Sequence, residues 1–213
     1  MIENLIQILA ISALPVIFAI TLHEAAHGYA ARHFGDPTAW LAGRISLNPA
    51  RHIDLMGTIV IPVLILLFSA GGMLFGYAKP VPVDFGRLRH PKRDMLWVAA
   101  AGPLANLAMG LVWALAWKLS WFVPDFFSLP LARMAEVGIN VNVVLMVLNL
   151  FPLPPLDGGR ILTSLLPGHL AWRFARIEPW GFPILLVLLF TGLLGQILSP
   201  VVGLVMAAIE MIL

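Results

Sequence analysis

An apolar run from about Leu5 to Ala31 sets the strongest limit on what this chain can fold into. It is long enough to cross the roughly 30 Å hydrocarbon core of a bilayer as one helix. A lone segment at that depth must be helical, because each backbone N–H and C=O needs a partner within the segment. Near its end the run reads "ITLHEAAHGYA", Ile20 to Ala30, and so carries two histidines and a glutamate. Ionisable side chains are costly inside a membrane and mark functional sites there. The rest of the chain fits the same environment. Of its 213 residues, 60% are hydrophobic and 11% charged, against roughly 25% charged in soluble domains. There is no cysteine, so disulfides, thiol catalysis and cysteine metal ligands are excluded. The net charge of +2 gives no sign of a nucleic-acid partner. The N-terminus has neither a basic region nor a small-residue cleavage site, so it reads as a retained span and not a removed signal peptide.

The expected fold is an all-α polytopic membrane protein, a bundle of about five to six apolar segments. The 17 prolines and 18 glycines predict broken helices. Residues 1–213 read as a single domain, with a core over about 5–160 and an apolar hairpin over about 180–213 split at Ser199–Pro200. Residues 55–76 are apolar but hold Pro62 and Gly71–Gly72, where a re-entrant segment could turn. Short β-strand elements are expected at "GRISL" and "YAKPVPV". Pro124 to Glu136 reads as a connector, and residues 160–179 as an interfacial amphipathic stretch. Trp97, Trp121 and Trp180 suit an interfacial belt. His33, His52, His90 and His169 read as surface or interfacial.

Residues four apart share one face of a helix. His23 and His27 therefore point the same way and can bind one metal ion. Glu24 beside them can serve as general base to a metal-activated water. The bland alternative is two histidines and a glutamate satisfying one another in a polar bundle core. A catalytic zinc site usually has a third protein ligand and an open position. Without cysteine, that ligand is His, Asp or Glu. Asp157 stands out, because it follows the breaks at Pro152, Pro154 and Pro155 and precedes Gly158–Gly159. Its alternative role is to cap the helix that begins near Gly158.

"HEAAH" together with "NLFPLPPLDGG" resembles the site-2 proteases, the intramembrane zinc metalloproteases. "AAAGPLANL" between them is similar to a third element of that family, in the family's order. The resemblance covers about residues 20–160 and is closest to the compact bacterial branch without a PDZ domain. It implies one Zn2+ per chain held by His23, His27 and Asp157, with Glu24 as catalytic base. It implies that Asn149 steadies the substrate or an oxyanion. Its expected partners are a transmembrane protein or peptide substrate and the lipid bilayer. Asn106, Gly102 and Pro103 read as helix-packing residues. Two other classes remain open: a catalytically inactive membrane binding or chaperone module of the same fold, and a transporter.

The ligands constrain topology. The histidines lie at the C-terminal end of the first span, and Asp157 follows the C-terminal end of the segment at 137–151. Those ends meet only if residues 55–76 enter and return on one side. That arrangement leaves Lys118 and Arg133 alone on the far side and puts the other eleven basic residues together. Simple alternation gives eight to five. Because basic residues favour the cytoplasmic side, the expectation is a cell (inner) membrane protein with its N-terminus outside and its site toward the cytoplasm.

Overall fold

The computed structural model describes residues 2–52, 54–61, 64 and 79–211. Among the described residues, four helices are long and apolar enough to cross a membrane. The helix α1, Ile2–His33, holds the HEAAH motif. The next long helices along the described chain are α2, Pro91–Leu119, and α3, Asp125–Asn149. Two short helices, α4 (Asp157–Leu165) and α5 (Gly168–Ala175), lead to α6, Glu178–Phe190, and α7, Leu193–Glu210. Helix α6 is apolar but shorter than a span. The first three long helices pack on one another, and α7 leans on α3. One core cluster joins Trp113 and Ala114 of α2 to Ala135, Ile139, Val143 and Val147 of α3 and Ile209 of α7. Large apolar side chains such as Leu104, Val112 and Leu204 point outward, as side chains that meet lipid must. With four candidate spans the chain is a multi-pass membrane protein.

The proline breaks fall in fewer places than expected. Pro15, Pro103, Pro130, Pro183 and Pro200 all lie inside helices. In a bundle, neighbouring groups can take up the backbone carbonyl that a proline leaves free. The connector at 124–136 is therefore the first turns of α3. The C-terminal hairpin turns at Gly192, not at Ser199–Pro200. Gly192 has φ 75°, the left-handed region that ends a helix and that glycine enters without strain.

The short β-strand elements are absent among the described residues. The stretch from Lys79 to Asp84 pairs with no strand among the described residues. Pro80 and Pro82 have no N–H to give. The Val81 N–H goes to the Glu24 carboxylate at 2.7 Å, and the Asp84 N–H to Asp36 at 2.7 Å. The Arg44 guanidinium takes the Lys79 and Pro80 carbonyls at 2.8 and 3.3 Å. Side chains thus claim the edge that a second strand would need. Tyr77 and Ala78, the start of "YAKPVPV", lie outside the described residues.

The expected turn of the re-entrant segment, at Pro62 and Gly71–Gly72, also lies outside them. The described residues that flank the segment, His52 and Lys79, do meet. The Lys79 N–H donates to the His52 carbonyl at 2.9 Å. A second link, Arg89 N–H to the Phe34 carbonyl at 3.0 Å, holds the end of α1 beside the start of α2. The C-terminal ends of α1 and α3 and the N-terminal end of α2 therefore share one side of the bundle. His52 itself is buried, with Nε2 2.9 Å from the Ser46 carbonyl, and is not a surface residue. His33, His90 and His169 are exposed as expected.

Candidate metal centre

The polypeptide breaks after Asn149 because Pro152, Pro154 and Pro155 cannot continue a helix. Helix α4 restarts at Asp157 and lies directly against this turn. Its glycines make that approach possible. A Cβ on Gly158 would stand 2.6 Å from the Phe151 carbonyl oxygen, and one on Gly159 would stand 2.7 Å from Pro154 Cα. Asp157 does not cap the helix: the N-cap is Leu156, with no side-chain capping bond. Its carboxylate instead turns to the α1 histidines.

Three atoms converge. His23 Nε2 and His27 Nε2 are 3.1 Å apart, and each is 3.3 Å from Asp157 Oδ2. Ligands held about 2.0–2.1 Å from one zinc at tetrahedral angles lie about 3.3–3.4 Å from each other. The three edges match one face of that tetrahedron. The outer nitrogens are committed elsewhere. His23 Nδ1 lies 2.6 Å from Asn106 Oδ1, and His27 Nδ1 lies 2.7 Å from the Val98 carbonyl. Both acceptors are oxygens, so each Nδ1 carries the proton and each Nε2 presents a lone pair. Such outer partners fix ring orientation and tautomer at metal sites. Two lone pairs and a buried carboxylate oxygen without a hydrogen-bond partner repel one another unless a cation sits among them. Two imidazole nitrogens and one carboxylate oxygen are a donor set that suits zinc.

Helix α2 supplies the floor. A Cβ on Gly102 would collide with His27 Nε2 and stand 2.6 Å from His23 Cε1 and 2.7 Å from His23 Nε2. Only glycine leaves that space to the converging donors. Gly102 thus serves the site as well as helix packing. Asn106 one turn on is almost fully buried and holds His23, so it too is more than a packing residue.

A cavity of about 600 Å3 opens on the three donors and is also lined by Glu24, Val81, Asn149 and Arg160. Glu24 is adjacent to His23 and only partly buried, with Oε2 on the Val81 N–H. Asn149 reaches the same cavity. Its Nδ2 donates one hydrogen to the Leu145 carbonyl at 3.0 Å and keeps a second. Arg160 meets Glu178 at 3.4 Å and covers the Phe85 ring. All five expected site residues therefore line one cavity. Reading along the chain missed Asn106, the Val98 carbonyl and the Val81 N–H as partners of the site. For Asn106 a signal existed, an amide in the middle of a span, which is costly unless it is bonded. Main-chain partners leave no such mark.

The chain is similar to several curated proteins. It is 37% identical over 192 residues to "Putative zinc metalloprotease YwhC" of Bacillus subtilis, across 88% of this chain and 84% of that one. It is 31% identical over 181 residues to "Putative zinc metalloprotease Rip2" of Mycolicibacterium smegmatis, across 84% of this chain and 66% of the relative. A Methanocaldococcus jannaschii protein, also named as a zinc metalloprotease in that form, is 27% identical over 164 residues, 74% of this chain and 71% of its own. No family model matches the chain, and no solved structure gives a significant match.

Proposed function

The chain belongs to the family of these zinc metalloproteases, the site-2 protease family that its motifs resemble, and on that premise we propose that it is an intramembrane endopeptidase. It hydrolyses peptide bonds within or near the transmembrane segments of other membrane proteins. The observation that carries the reading is the triangle of His23 Nε2, His27 Nε2 and Asp157 Oδ2, set inside a bundle of apolar helices and open to a cavity beside Glu24.

His23, His27 and Asp157 would hold the zinc, one per chain. When bound, the metal supplies a Lewis acid and lowers the pKa of a water toward about 7. Glu24 takes the proton from the attacking water and returns it to the leaving amide nitrogen. The Val81 N–H holds Glu24 toward the cavity meanwhile. The second hydrogen of Asn149 Nδ2 is available to the scissile carbonyl oxygen as negative charge grows there. A substrate helix must unwind locally to expose that carbonyl, since its own hydrogen bonds otherwise occupy it.

The site faces the cytoplasm, and the protein resides in the cell (inner) membrane. The basic residues support this: with residues 55–76 entering and returning on one side, eleven of the 13 Lys and Arg residues fall together on the side of the ligand-bearing ends. The test compares the full chain in lipid nanodiscs with its Glu24→Gln variant, on a single-span substrate, with zinc content measured. The expected result is one zinc per chain in both, and cleavage reduced about 10²–10⁴-fold in the variant. Equal cleavage refutes the mechanism. A zinc-free wild type points instead to an inactive binding module or a transporter.

A further inference from the structure

Two amides lie in the middle of the bundle, Asn106 on α2 at 1% exposure and Asn142 on α3 at 0%. The site described above uses the first and not the second. A buried amide without partners costs several kcal/mol in an apolar setting, and both amides are bonded. Asn142 Nδ2 donates to the Gly138 carbonyl at 2.8 Å, one turn back on α3. Asn142 Oδ1 accepts from Asn106 Nδ2 at 2.9 Å. Asn106 Nδ2 also donates to the Ala19 carbonyl of α1 at 3.1 Å. Asn106 Oδ1 accepts from His23 Nδ1 at 2.6 Å.

This chain of bonds has a direction. An amide can turn end for end and exchange its donor and acceptor at little cost in shape. A backbone carbonyl only accepts. Gly138 therefore requires the nitrogen of Asn142 on its side and leaves the oxygen facing α2. That oxygen, with the Ala19 carbonyl, requires the nitrogen of Asn106 and leaves its oxygen facing His23. An oxygen there requires a proton on His23 Nδ1, and so leaves the Nε2 lone pair free for a metal. If Asn106 turned over, its nitrogen would favour the opposite tautomer, with a proton on Nε2 where the metal belongs.

We propose that Asn142 is a positioning residue for the metal centre, acting through Asn106 to hold His23 in its metal-binding tautomer. The proposal rests on the reading of His23 as a zinc ligand. It assigns Asn142 a role that helix packing alone does not require. Leucine has the same branched skeleton and would fill the position without a polar atom. The relay needs an acceptor facing Asn106.

The test measures zinc affinity by chelator competition on the full chain, for the wild type, Asn142→Leu and Asn142→Asp. Aspartate keeps an oxygen facing Asn106. In its neutral form, which burial favours, it also donates to Gly138. The expected result is about tenfold weaker zinc binding in Asn142→Leu, with Asn142→Asp within about threefold of the wild type. Helix content should be unchanged in both. A folded Asn142→Leu with wild-type affinity overturns the proposal, as does an equal loss in both variants, which marks packing. If Asn142→Leu does not fold, nitrogen-15 spectra of the zinc-loaded wild type decide. They should show a proton on His23 Nδ1, and its absence overturns the proposal. A wild type that binds no zinc removes the proteolytic reading and this one together, whereas zinc in the wild type with no effect at Asn142 removes this one alone.

Discussion

Replacing Gly102 by alanine tests whether the ligands meet where the structure places them. The added methyl would stand 2.6 Å from His23 Cε1 and 2.7 Å from His23 Nε2, and would overlap His27 Nε2. Non-bonded carbon contacts settle at about 3.5–4.0 Å, so the imidazoles must withdraw by about 1 Å. Metal–ligand distances tolerate about 0.2 Å, and the displacement is about five times that. Losing one outer partner of a ligand already weakens a metal site about 10–100-fold. A direct intrusion should cost at least about 100-fold, or about 2.8 kcal/mol of zinc binding. The backbone should gain, since alanine is favoured over glycine by about 1 kcal/mol in a helix. Zinc content after equilibration with a competing chelator reads the first effect, and circular dichroism confirms the helices. Gly110→Ala on the same helix is the control: its new Cβ would meet nothing closer than Asn142 Cβ at 3.8 Å, and zinc should load normally. A Gly102→Ala chain that binds zinc with wild-type affinity would falsify the placement of His23 and His27 against α2.

Other perturbations separate neighbouring features. Val81→Pro deletes the N–H that holds Glu24. A hydrogen bond to a charged group is worth about 1.5–3 kcal/mol, so cleavage should fall about 10–150-fold at unchanged zinc content, and full activity would remove Val81 from the mechanism. Burial works to raise the Asp36 pKa, but bonds from the Thr38 hydroxyl and N–H and the Asp84 N–H, with the nearby Arg87 charge, hold it below the usual value. A carboxyl with a depressed folded pKa stabilises above its unfolded value of about 3.9, and that stabilisation is lost as pH falls through the folded value. The melting temperature should therefore drop more steeply below about pH 4 in the wild type than in Asp36→Asn, and parallel curves would discard the assignment. The chain has no cysteine of its own, so Arg44→Cys and Arg87→Cys can each be labelled alone. Both should react from the cytoplasmic face, and labelling from opposite faces would overturn the topology.

Much of the site is legible along the chain because helices impose local geometry. The i, i+4 spacing of His23 and His27 puts both imidazoles on one face wherever that helix lies. The prolines of "PLPPLDGG" stop α3, and the glycines let α4 press against the turn. The apolar excess requires a membrane, and the absence of cysteine narrows the third ligand to His, Asp or Glu. The meeting of the ligand-bearing ends was derivable too, because three ligands of one metal must lie at one depth.

The tertiary structure decided what depends on contacts between distant segments. Asp157 could cap its own helix or face a metal, and only the packing of α4 against α1 turned it to the histidines. Asn106 sits 83 residues from His23 in sequence, with no local pattern to link them. "YAKPVPV" carries strand-forming residues, yet in this fold backbone groups of its described part, Lys79 to Val81, serve Glu24, Arg44 and His52 and not a partner strand. Gly102 is one small residue among many until two imidazoles are found in the space its missing side chain leaves. Local sequence specifies which groups a segment offers, whereas the packed bundle determines which partners they meet.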